Sequence, residues 1–92
     1  MTPEDERLRR KELEVGSEAH RIVDSPLWIS AYESLARELN EGMLSSATSD
    51  EETLELKREL LSLNKVKKVF ESAIITGQMA SRQLEDARNG KH

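Results

Sequence analysis

Residues 49–88 read SDEETLELKRELLSLNKVKKVFESAIITGQMASRQLEDAR, a run of strong helix formers without a proline. Ser49 is followed three residues later by Glu52, which is the capping-box pattern of a helix start. Apolar residues then recur at intervals of seven, as Leu56, Leu63 and Phe70 do. A sustained seven-residue repeat is typical of coiled-coil packing. The stretch therefore predicts one long helix with a single apolar seam.

We predict that this seam is an oligomer interface. Its members share one face of the helix; they are Leu56, Leu60, Leu63, Val66, Phe70, Ala73, Ile74, Gly77, Ala80, Leu84 and Ala87. Gly77 is unusual there, because glycine inside a helix costs about 1 kcal/mol relative to alanine. It indicates either that another backbone approaches closely or that the helix bends, and we favour the close approach.

Two further helices are delimited by their caps. Thr2 and Pro3 form a cap and first helical position, and Ser25 and Pro26 repeat that pattern. The sequence thus predicts an N-terminal helix over 1–24, a second helix over 25–44, a third over 49–88 and a tail at 89–92, within a single all-helical domain. Residues 3 to 14 are so polar that we expect this part to fray unless a partner orders it.

The predicted fold is all-α, with an N-terminal helix followed by an antiparallel helical hairpin. The short loop between the second and third helices favours that hairpin. The second helix is about half as long as the third, so the surface it covers ends near Phe70. Residues 73–87 must then be covered by the N-terminal helix or by another subunit, and we expect another subunit.

Composition also favours an oligomer. Of the 92 residues, 36% are hydrophobic and 3% are aromatic, and there is no cysteine. A small chain buries a low fraction of its surface, so this core is marginal for an isolated monomer. Disulfides and a thiolate zinc site are excluded, which leaves association between subunits as the source of further buried area.

Five cations make the best case for nucleic-acid binding. They are Lys57, Arg58, Lys65, Lys67 and Lys68. However, acidic residues are interleaved with them, and the net charge of the chain is −4, whereas a dedicated DNA-binding domain is usually basic. We favour a solvated helix face and keep a nucleic-acid-binding regulator as the alternative.

Catalytic and metal-binding patterns are scarce. His20 and His92 are the only histidines. A lone histidine such as His20 is typical of a surface or boundary position, although a pair with Glu18 or Asp24 is conceivable. Glu51, Glu52 and Glu55 lie where acids complement the helix dipole. We expect no catalytic residue, no metal site, no cofactor and no enzymatic activity. No apolar stretch is long enough to span a membrane, and no signal peptide is visible.

The chain resembles small, mostly uncharacterised helical proteins of tailed bacteriophages that are encoded among head and DNA-packaging genes. The resemblance covers residues 24–85 and rests on four segments: Asp24 to Trp28, Ser49 to Glu55, Leu56 to Leu63 and Ile75 to Ala80. It implies a homo-oligomeric virion-assembly or packaging accessory, similar to a small terminase subunit. Such a protein would act with a phage packaging or head protein, in the cytoplasm of the infected host or in the virion. An inhibitor that binds a host protein is a further alternative.

Overall fold

The computed structural model describes residues 1–90 as three α-helices joined by short connections. Helix α1 spans Pro3–Val23, α2 spans Pro26–Leu44 and α3 spans Asp50–Arg88. The described part of the chain contains no strand. The all-α class and the helical hairpin are thus confirmed, and each helix begins and ends within two residues of its predicted limit. The last two residues of the predicted tail, 91 and 92, lie outside the described residues.

Side-chain caps explain where the helices begin. At each start a serine or threonine hydroxyl accepts a hydrogen bond from the backbone N–H three residues later, which satisfies a donor that the helix leaves unpaired. The three bonds run from Asp5 N to Thr2 Oγ1 (3.1 Å), from Trp28 N to Ser25 Oγ (3.2 Å) and from Glu52 N to Ser49 Oγ (3.1 Å). The local sequence therefore sets these boundaries.

The two ends of the described chain adjoin helices. Helix α1 is regular from Pro3 onward, and the fraying expected of residues 3 to 14 stays a prediction. Gly90, which follows α3, has a φ of +73°. Its N–H donates to the Ala87 carbonyl at 3.3 Å, and a glycine in this left-handed conformation is a common helix stop. The predicted stop at Asn89-Gly90 is confirmed.

The chain divides into two compact units, and α3 contributes to both. Unit 2 comprises Asp24–Lys68 and is the predicted hairpin of α2 with the first part of α3. Tyr32, early in α2, donates a hydrogen bond of 2.7 Å to Asn64 Oδ1, whereas Gly42, near the end of α2, lies against Leu56. The order of these contacts shows that the two helices are antiparallel.

Unit 1 comprises Met1–Val23 and the α3 residues from Val69 onward. Here α1 runs antiparallel to α3, and the two backbones meet at Gly16 and Gly77. A Cβ built on Gly16 would lie 2.8 Å from the Gly77 Cα and 2.8 Å from the Ala73 carbonyl oxygen. Ala80, one turn from Gly77, is 1% exposed, and Ala19 on α1 is 6% exposed. Only small residues allow two helices to approach this closely.

This contact bears on two expectations. Residues 73–87 are covered by α1 of the same chain, because α1 runs back along this part of α3, so no second subunit is needed to cover that side. The close approach at Gly77 is confirmed, and α3 continues without a break. In the sequence, Gly16 interrupts the apolar stripe of α1, which consists of Leu8, Val15, Ala19, Ile22 and Val23, yet it is the point of closest contact.

Gly16→Ala and Gly77→Ala are each expected to lower the free energy of unfolding. The added Cβ meets backbone atoms of the opposite helix, which a side-chain rotation cannot relieve. Such overpacking costs about 1–3 kcal/mol, while the helix propensity of alanine returns about 1 kcal/mol. The expected net loss is up to about 2 kcal/mol. Chemical denaturation followed by circular dichroism, at one fixed protein concentration, measures it.

Gly42→Ala is the matched control. A Cβ on Gly42 would lie 2.9 Å from Leu56 Cδ1, which is the flexible end of a side chain and can move aside. The higher helix propensity of alanine is then not offset by a clash, and the free energy of unfolding should be unchanged or raised by up to about 1 kcal/mol. If Gly16→Ala and Gly77→Ala proved as stable as Gly42→Ala, the close crossing of the two backbones would be wrong.

Tyr32→Phe is expected to destabilise the chain by about 0.5–1.5 kcal/mol, because the hydrogen bond to Asn64 is lost while the ring remains. The stacking on Trp28 (ring centroids 6.5 Å apart) and the contact with Lys67 should persist. Asn64→Ala should lower the free energy of unfolding less in the Tyr32→Phe background than in the wild type, since both substitutions remove the same hydrogen bond. Fully additive losses in the denaturation midpoints would contradict the assignment.

Candidate functional site

The seam of α3 faces the other helices of its own chain. Of its members, Gly77 and Ala80 are buried and Val66 is 46% exposed, while the remaining residues are half-buried. Leu56 contacts α2 at Gly42, whereas Ala73 and Gly77 contact α1 at Gly16. The helical periodicity therefore identified the residues that pack. A role for them between subunits stays a prediction, and the structure already gives them partners within the chain.

The five predicted cations lie on the surface of unit 2. Lys57, Arg58, Lys65 and Lys68 are exposed, as are the neighbouring acids Glu55 and Glu59. Lys67 differs from the others, because its Nζ lies 5.2 Å from the centroid of the Tyr32 ring. This cation–π contact assigns Lys67 a structural role in joining α3 to α2. The arrangement is a mixed-charge helix surface, on which acids dilute the field of the lysines.

Groups suited to metal binding do not converge in residues 1–90, where no cluster of three His, Asp or Glu side chains could hold an ion. His20 is exposed beside the crossing of α1 and α3, near Gly77 and Gln78. Glu51, Glu52 and Glu55 are exposed in the first turns of α3, as the helix dipole favours.

Within 1–90, no helix combines the length and the apolar composition that crossing a bilayer requires.

Exposed apolar residues are the main feature that the sequence reasoning missed. In residues 1–90 the buried hydrophobic residues are Ala19, Leu39 and Ala80. Thirteen large hydrophobic residues are exposed: Met1, Leu8, Val15, Leu27, Ile29, Leu35, Leu44, Leu54, Leu61, Val66, Val69, Ile75 and Met79. A signal for part of this set was present, because Leu8 and Val15 of α1 are spaced by seven, and the half-buried Ile22 continues that spacing.

Unit 1 contains an apolar groove on one side of the α1–α3 crossing. It encloses about 480 Å³ and is lined by Val15, Ala19 and Ile22 of α1 and by Val69, Phe70 and Ala73 of α3, with Glu14 and Glu18 at its edge. We call it the apolar groove. A hydrocarbon lining edged by carboxylates suits the apolar side of another helix, with polar residues at its rim.

Charges along α1 are held by ion pairs within the helix. Arg9 pairs with Glu12, Arg10 with Glu6 at 2.7 Å, and Arg21 with Glu18. The hydrogen bond with the Glu18 carboxylate raises the pKa of Arg21. Pairs of this kind, three or four residues apart, give an isolated helix modest support. They compensate in part for the few apolar residues that α1 buries.

Comparison with known proteins gives no relative from which a function could be transferred. No protein-family model, no curated protein and no solved structure matches the chain.

Proposed function

We propose that the protein is a non-enzymatic helical assembly protein that associates with copies of itself through its exposed apolar residues. The observation that carries the proposal is the contrast between the small buried core and the thirteen exposed large hydrophobic residues of 1–90. Single exposed hydrophobic residues are ordinary, whereas a contiguous apolar patch, such as the apolar groove with Val15 and Val69 at its walls, is typical of a binding surface.

The exposed area supports the same proposal. The chain exposes 7307 Å². An average folded monomer of 10.5 kDa exposes about 5,400 Å² by the scaling of surface with mass. The excess is roughly 1,900 Å² per chain, and a stable homodimer typically buries about 800 Å² or more on each partner. The surplus is thus sufficient for a stable interface between copies.

The biological setting is proposed from the sequence resemblance. The four segments within residues 24–85 resemble helical phage proteins encoded among head and DNA-packaging genes. We therefore assign the assembly protein to virion assembly or DNA packaging, as an accessory comparable to a small terminase subunit. Its partners would be further copies of the chain and a phage packaging or head protein.

Association can be measured directly. Light scattering coupled to size-exclusion chromatography at micromolar concentration should give a mass of at least twice 10.5 kDa. The thermal midpoint should rise with protein concentration, because association stabilises the folded state by mass action. A strict monomer with a concentration-independent midpoint would refute the proposed function.

The nucleic-acid-binding alternative predicts different behaviour. If Lys65 and Lys68 contacted phosphates, binding to duplex DNA would weaken steeply with salt, and the double variant Lys65→Glu/Lys68→Glu would abolish it. We expect wild type and variant to bind DNA equally weakly at physiological salt, because acids surround these lysines. Tight binding by the wild type alone, in a fluorescence anisotropy titration, would favour a nucleic-acid-binding regulator instead.

The virion role is tested by the genes on either side of the coding sequence. Head or packaging genes should flank it. A position far from any phage structural or packaging gene would contradict the role, while leaving self-association untouched.

A further inference from the structure

We infer that the interface between copies lies on unit 1, where α1 packs antiparallel against α1 of a second copy. The inference rests on the proposed function and names its interface. The contact surface on each copy consists of the row Leu8, Val15 and Ile22 on α1 together with the apolar groove beside it. This contact surface packs against the same surface of the second copy.

The row on α1 lies beside the contact that α1 makes with α3. Gly16 and Ala19 are buried against α3, whereas Leu8 is 49% exposed, Val15 is 52% exposed and Ile22 is half-buried. A spacing of seven keeps three side chains on one side of a helix. The close crossing at Gly16 leaves Leu8 and Val15 at the surface and Ile22 partly exposed, whereas Leu13, another large apolar residue of α1, is half-buried.

The apolar groove extends this row across to α3. Val15 and Ile22 form its wall on the α1 side, and Val69, Phe70 and Ala73 form the opposite wall. Val69 is 67% exposed, the highest value among the exposed hydrophobic residues of unit 1. Row and groove therefore form one apolar face, and pairing two such faces would create a four-helix arrangement with a shared core.

The spacing of the row fits a two-fold axis near Val15. Val15 is the middle member, so an antiparallel pairing places it beside Val15 of the second copy and sets Leu8 against Ile22. A two-fold interface is self-complementary in this way: if one residue of the first copy contacts a given residue of the second copy, the reciprocal contact also forms. Because the middle of the row is itself a residue, the two rows can pair about this axis without sliding one helix along the other.

Charge selects the antiparallel direction. Lys11 and Glu18 are exposed beside the row, on opposite sides of Val15 and at nearly equal distance from it in sequence. Antiparallel pairing brings Lys11 of each copy toward Glu18 of the other, so that each Glu18, already paired with Arg21, gains a second cation. Parallel pairing would instead set Glu18 against Glu18 and Lys11 against Lys11. Like charges placed opposite one another select against that arrangement.

A single cysteine tests the position of the axis, because the chain contains no other cysteine. A disulfide requires Cβ atoms about 3.5–4.5 Å apart, which two copies achieve only near the two-fold axis. Under mild oxidation, Val15→Cys should form a covalent dimer rapidly and nearly completely. Met79→Cys is the matched control, since Met79 also lies on unit 1 and is 55% exposed, but does not line the groove. Its cross-linking should be at least tenfold slower.

The outcomes separate this inference from the proposed function. Selective cross-linking of Val15→Cys in non-reducing gels supports both. If the chain is an oligomer and Met79→Cys cross-links as fast as Val15→Cys, or neither does, the interface is overturned and self-association stands. A strict monomer in light scattering overturns both.

A charge exchange tests the direction independently and leaves the apolar row intact. Lys11→Glu alone should raise the dimer dissociation constant roughly tenfold, since two rim contacts become repulsive. Lys11→Glu/Glu18→Lys/Arg21→Glu restores opposite charges across the interface, keeps an ion pair between positions 18 and 21, and should return the constant to within about threefold of wild type. Sedimentation equilibrium measures these constants. A triple variant that binds as weakly as Lys11→Glu would refute the antiparallel pairing.

Discussion

The contact between the backbones of Gly16 and Gly77 is the constraint on which unit 1 depends. Helix α1 has few apolar residues, so close contact between the two backbones holds it to α3 more than buried side chains do. Two glycines with alanines beside them let many backbone atoms reach contact distance, and the dispersion energy of such contacts is small singly and large in sum. Any side chain at either glycine would separate the helices.

This close crossing determines which residues of α1 remain at the surface. Because the glycine side of α1 faces α3, the bulkier residues Leu8 and Val15 are turned toward solvent. An ordinary amphipathic helix would bury them and expose its small residues. The chain thus combines a minimal internal core with an apolar face on unit 1, and this combination connects the stability of the fold to association between copies.

Much of the fold could be predicted from local sequence. The caps at Thr2, Ser25 and Ser49 act within three residues, so the helix starts followed from them without knowledge of the tertiary structure. The seam of α3 was also identified, since a helical period shows which side is buried. What covers that side was not identified, because a period carries no information about the partner, and a second subunit was favoured over α1.

The sequence by itself determined the number of helices, their limits and the face of α3 that packs, because caps, propensities and periodicity act over a few residues. Only the tertiary structure decided that α1 crosses α3 at Gly77 and that Lys67 rests on Tyr32. Both contacts join residues more than 30 positions apart, and they depend on how two surfaces fit. In the sequence, Gly16 only interrupts the apolar stripe of α1. In the structure it is the point of contact, because the two backbones fit together there.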